Sequence, residues 1–126
     1  MAQTRILVGA AAIAALLPLV ALADGPQQIT TATNHAGLAS KAADINGVRT
    51  HLHHVLNCLV GQGGQGFDAA AGNPCNGQGA GAINDTADAA PKAKLNAAAA
   101  KARESIALND AGAAKQAATD IQGMLK

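Results

Sequence analysis

The sequence predicts an all-α protein, a small bundle of three to four helices with a Gly-rich, disulfide-tied loop. Three observations predict it. Apolar residues recur at steps of three and four along most of the chain, the period of an amphipathic helix. Strand-like alternation of apolar and polar residues is found nowhere. Eight glycines crowd positions 61 to 81, and the chain's two cysteines stand at Cys58 and Cys75, so that one cross-link ties this stretch.

The first element is a leader. Arg5 supplies a positive start, Ile6 to Leu22 form an apolar run, and Ala21-Leu22-Ala23 is a small-x-small cleavage site, so residues 1–23 read as a signal peptide. The alternative is a membrane anchor, but the run is short, contains Pro18 and lacks a flanking basic cluster. A periplasmic or secreted protein is expected, with no membrane association after cleavage. Residues 24–126 then form a single helical domain.

A long helix is expected over about 33–60. Leu38, Ala42, Ile45, Val48, Leu52, Val55, Leu56 and Leu59 make its stripe, Thr30, Thr31 or Thr33 could cap its start, and Gly61 ends it. Gly37 and Gly47 lie inside, where they weaken the helix or permit close packing. Residues 61–84 read as a loop. A loop of that length in a compact domain needs something to tie it down. The remaining expectation is a helical hairpin over about 91–126, with a short extra turn near 83–90. Asp88 and Pro91 start its first helix, whose stripe is Leu95, Ala98, Ala99, Ala102 and Ile106. Asn109-Asp110 interrupts the period and caps the last helix, with Ala114, Ala117, Ile121 and Met124 or Leu125 as its stripe.

Core size limits what this domain does unaided. Residues 24–126 contain only 17 large apolar side chains, and alanine, which buries little area, supplies most of the rest. A staple or a partner chain is therefore expected. Export favours a Cys58–Cys75 disulfide, which closes a loop of the size for which chain entropy gives roughly 3 kcal/mol. The competing reading makes Cys58 a thiolate ligand beside the histidines.

Charge excludes some partners. Removing residues 1–23 takes away Arg5 and no acidic residue, leaving eight cationic side chains against eight acidic ones. That balance offers nucleic acid no attraction, and with no Trp or Tyr, Phe67 alone cannot make a base-stacking platform.

Chemistry concentrates in Thr50-His51-Leu52-His53-His54-Val55-Leu56-Asn57-Cys58. On a helix His51 and His54 share one face with Cys58, one turn apart, which suits chelation of copper, nickel or zinc. Asp68 or Asn73, drawn in by the loop, or another chain, are candidate third ligands. His53 points elsewhere and is at most an additional ligand. His35 stands too far from it along a straight helix to share a site. The plain alternative is that these histidines are polar surface groups that pin a folded-back loop.

Other motifs fail on context. Gly61-Gln62-Gly63-Gly64-Gln65-Gly66 has the letters of a dinucleotide fingerprint but follows a helix rather than a strand. Asn84-Asp85-Thr86 is a glycosylation sequon. Ser40 and Ser105 are isolated, and Glu104, the sole glutamate, pairs with Lys101 or Arg103 as a helix surface charge. With no paired carboxylates, nucleophile motif or phosphate cradle, the chain is not expected to be an enzyme.

The leader, the Ala-rich amphipathic helices and the phrase Ala107-Leu108-Asn109-Asp110-Ala111-Gly112-Ala113-Ala114-Lys115-Gln116-Ala117 resemble the small metal-binding proteins of the bacterial periplasm. The resemblance implies a four-helix-type bundle that takes up copper, nickel or other divalent ions. That family repeats histidine through all its helices, whereas this chain has none after His54, and the Cys58 to Cys75 loop is not part of the family's pattern. Two rivals to metal binding remain: a structural or interaction module that meets a homo-oligomeric or periplasmic protein partner, and a haem-binding bundle with His35 and Met124 as the nominated axial ligands.

Overall fold

A computed structural model describes residues 25–126, and the leader expected over residues 1–23 lies outside them. Five helices follow in order: α1 (Gly25–Lys41), α2 (Ile45–Val60), α3 (Ala82–Asp85), α4 (Ala89–Ile106) and α5 (Ala111–Met124). There is no strand among the described residues, so the fold is an all-α bundle. No helix among them is long and apolar enough to cross a membrane.

The long helix expected over 33–60 is two helices. Asp44 breaks it: its backbone is extended at φ −138°, and its Oδ1 accepts from the Gly47 amide at 2.8 Å, capping α2. A Cβ at Gly47 would lie 3.1 Å from the Ala42 Cβ, so the glycine lets the turn close tightly. The apolar period ran through this turn because both helices face the same core. Nor do the threonines cap α1, which begins at Gly25. Thr30 and Thr33 instead donate to the carbonyls of Pro26 and Ile29, one turn back, at 3.0 and 2.7 Å.

Helix α2 carries the large core side chains. Val48, Leu52, Val55 and Leu59 are fully buried and Leu56 nearly so. Each contributes roughly 1.5–3 kcal/mol of burial. The helices around it present mostly alanine: Ala32, Ala36 and Ala39 from α1, Ala98, Ala99 and Ala102 from α4, Ala114 and Ala118 from α5. Small side chains allow close approach, and Gly37 takes this furthest, since a Cβ there would stand 2.6 Å from Gln122 Nε2 of α5. Leu38, expected in the stripe, is instead 48% exposed, because α1 turns its alanine face inward. For the same reason of register, Ala118 rather than Ala117 is buried on α5.

Caps and cross-ties end the helices. Asp88 precedes α4 without a side-chain cap bond, its carbonyl accepting from Lys92 N at 3.1 Å. Arg49 of α2 reaches the far end of α4, donating to the carbonyls of Ile106 (3.1 Å) and Leu108 (2.7 Å) and to Asn109 Oδ1 (2.8 Å). A guanidinium at a helix C-terminus satisfies orphan carbonyls and meets the negative end of the dipole. Asp110 then caps α5 through its Oδ1 and the Ala113 amide at 2.6 Å.

The loop after α2 is held at its neck and along its length. Gly61 ends α2 at φ +70°, and its missing side chain lets the Ala80-Gly81 backbone cross over it, where any Cβ would strike the Ala80 carbonyl. The Gly61 to Gly66 phrase is thus a helix stop and a crossing point. Cys58 and Cys75 form the expected disulfide, with their Cα atoms 5.2 Å apart and both residues buried. Asn57 adds a third tie, through the backbone of Asp68 and Gly72.

Candidate metal centre

The turn at 42–44 folds α1 back on α2. His35 and His51 each stand eight residues from Ala43, so the fold-back sets them side by side, and His54 lies one turn further along α2. His35 Nδ1 is 3.2 Å from His51 Nδ1 and 3.2 Å from His54 Nδ1. One ring nitrogen from each of the three lies within 4.8 Å of the others. Separation along the sequence was the wrong measure for His35. In a straight helix it is remote, but in a hairpin it becomes the third member of the cluster.

The two contacts at His35 Nδ1 hold at most one proton between them. His54 Nε2 lies 2.7 Å from the Ala71 carbonyl oxygen, which only accepts, so Nε2 carries the hydrogen and a neutral His54 presents a bare Nδ1. If His35 donates from Nδ1 to His54, it has no lone pair there for a proton from His51. If His51 donates to His35, two lone pairs face each other between His35 and His54. A cation at the centre would meet all three lone pairs at once. The rings are set at angles that avoid stacking, with His54 edge-on to both His35 (80°) and His51 (74°).

Electrostatics disfavour the charged forms of His35 and His51. Burial, and after it the proximity of His54 and His51, lowers the pKa of His35 to about 4. His51 is also lowered, by burial first and then by His54. Neutral imidazole is the metal-binding form, so the shifts of His35 and His51 favour their acting as ligands.

Asn57 positions the backing of His54. Its side chain is fully buried, and Nδ2 donates to the carbonyls of Asp68 and Gly72, both at 2.7 Å, while Oδ1 accepts from the Asp68 amide at 2.9 Å. Residues 68–72 are therefore fixed against α2, and the Ala71 carbonyl with them. His54, Asn57 and Cys58 grip one loop in succession: His54 through Ala71, Asn57 through Asp68 and Gly72, Cys58 through Cys75.

Of the residues singled out in the sequence, His51 and His54 come together and gain His35. Asp68 does not join them: its Oδ1 accepts from the Ala70 amide at 2.9 Å and its Oδ2 lies 3.6 Å from His53 Nδ1. His53 Nδ1 faces Asp68 without a hydrogen bond and lies outside the triad. Asn73 accepts from the Cys75 amide at 3.0 Å, and Cys58 is held in the disulfide rather than offered as a thiolate. Met124 lines a crevice of about 100 Å³ with Ile29, Pro91, Leu95 and Leu125, and His35 is not among the residues that line it.

Compared with protein-family models, curated proteins and solved structures, the chain matches none.

Proposed function

We propose that this chain is an exported, non-enzymatic bundle that binds a divalent transition metal, copper, nickel or zinc, through Nδ1 of His35, His51 and His54. The observation that carries the proposal is the convergence of the three Nδ1 atoms, with His54 backed by a carbonyl on its other nitrogen. Histidine ligands commonly donate their second nitrogen in this way, which fixes the tautomer and raises basicity. The spacing supports the same reading. For metal to nitrogen bonds of about 2.0–2.1 Å, a tetrahedral site has ligand edges of about 3.3–3.4 Å. The two short edges here are 3.2 Å.

Three neutral ligands leave a fourth position to water or to a donor from another molecule. Such a site holds and releases its ion, so buffering or delivery is the role proposed. Among the described residues no carboxylate belongs to the cluster, and Asp68 faces His53 instead.

A second reading has one observation in its favour. His54 and Asn57 already pin the loop by hydrogen bonds that need no metal. On that reading the chain is a structural or interaction module. Calorimetric titration of the oxidised protein with Cu(II), Ni(II) and Zn(II) separates the two. Metal binding predicts one ion per chain, lost in each of His35→Ala, His51→Ala and His54→Ala but kept in His53→Ala. Heat absent for all three ions, or unchanged in the triad variants, leaves the interaction module.

A further inference from the structure

Two asparagines of the chain precede glycine, in Asn46-Gly47 and Asn76-Gly77. Asparagine is thermally labile, and most so before glycine, where no Cβ hinders attack on its side chain by the next backbone nitrogen. We propose that Asn76, and not Asn46, is a site of spontaneous covalent modification, converting through a cyclic imide to isoaspartate and aspartate. No metal is involved.

Both asparagines are exposed, so the backbone rather than access to water separates them. Asn76 and Gly77 are the central pair of a tight turn, closed by a hydrogen bond from the Gln78 amide to the Cys75 carbonyl at 3.0 Å. Gly77 stands at φ +79° and Asn76 at negative φ, the type II pattern. Among the described residues no hydrogen bond engages the Gly77 amide or the Asn76 side chain. A Cβ placed on Gly77 would meet nothing within 4 Å, so the imide ring has room to form.

Asn46-Gly47 lies in the first turn of α2. The Gly47 amide is held by Asp44 Oδ1 at 2.8 Å, and the Asn46 carbonyl accepts from Thr50 Oγ1 at 3.0 Å. Ring closure there has to break the cap and leave the helical backbone. Asn73 is excluded on other grounds, since Pro74 offers no N–H.

The conversion balances with water alone. The Gly77 nitrogen gives up its proton and attacks Asn76 Cγ, to which it is already tethered. The new N–Cγ bond forms, the Cγ–Nδ2 bond breaks, and Nδ2 takes up a proton and leaves as ammonia. Water then opens the imide. Cleavage at Cγ gives aspartate, and cleavage at the main-chain carbonyl gives isoaspartate, with the chain running through the former side chain. The Cys75 to Gln78 turn gains a negative charge and, by the second route, an extra main-chain carbon.

Mass-spectrometric peptide mapping of the oxidised protein, aged at mildly alkaline pH, locates the change. The amide should be lost from Asn76 roughly tenfold or more faster than from Asn46, whose helix cap must first open. Isoaspartate should be the larger product. In the reduced chain unfolded in denaturant the two rates should converge, because only the folded backbone distinguishes the sites. Asn76→Gln should abolish conversion in the loop and leave Asn46 as it was. Equal rates at the two sites in the folded protein, or an Asn76 that survives folded but converts in the unfolded chain, overturns the proposal.

Discussion

His54 Nε2 donates to the Ala71 carbonyl across 2.7 Å, joining a helix side chain to a loop backbone seventeen residues later. The bond selects which imidazole nitrogen faces His35. Loop and cluster therefore form one mechanical unit, and changes to the loop reach the cluster without touching a histidine.

The disulfide is the first test of that unit. Cys58→Ser combined with Cys75→Ser should cost roughly 3 kcal/mol, the loop-closure entropy restored to the unfolded chain. For a domain of this size the melting temperature falls by roughly 10–20 °C. Zn(II) affinity should drop with it, because the freed loop no longer holds Ala71 against His54. Calorimetry and a thermal melt on the same samples read both effects.

Asn57 gives a sharper one. Asn57→Ala removes three buried hydrogen bonds and leaves loop groups unmet, a loss of about 2–4 kcal/mol. Every histidine remains, yet metal affinity should fall roughly tenfold or more as the carbonyl behind His54 loosens. Denaturant unfolding and metal titration of the variant check the pair of effects.

Acid should weaken the metal-free protein over a defined window. His35 is lowered to about 4 and His51 is lowered too, so both are neutral when folded while the unfolded chain takes up protons near pH 6.5. Their contribution is complete above about pH 6.5, declines as pH falls below it, and stops changing for His35 once the folded value near 4 is passed. Urea midpoints between pH 8 and pH 4 should fall in that direction. The slope should be shallower in His35→Gln, which removes the most shifted group.

Away from the site, Arg49→Ala frees the Ile106 and Leu108 carbonyls at the end of α4 and should cost about 1–3 kcal/mol in a denaturant melt. Leu38→Ser, on the exposed flank of α1, should change stability by no more than about 0.5 kcal/mol.

Legibility followed side-chain size. Helix α2 could be read because Val48, Leu52, Val55, Leu56 and Leu59 are large and bury at one period. The inward face of α1 could not, since Ala32, Ala36 and Ala39 are small enough to suit any face and Leu38 drew the stripe outward. The Ala42 to Asp44 turn hid inside an unbroken apolar period, although Asp44 placed three residues before Gly47 was a capping signal. His35 followed from that turn alone. The cysteine pair was settled by having a single pairing available. Nothing in the sequence distinguished Asn57, whose role comes entirely from being buried against backbone that the loop brings to it.

The central claim is that Nδ1 of His35, His51 and His54 make one ligand set. Long-range ¹H–¹⁵N spectra of the histidine rings during Zn(II) titration measure it directly. The three Nδ1 resonances should move together to saturation at one ion per chain, with Nε2–H of His54 retained and His53 unmoved. Coordination through His54 Nε2, or a response from His53 with His35 unchanged, would contradict it.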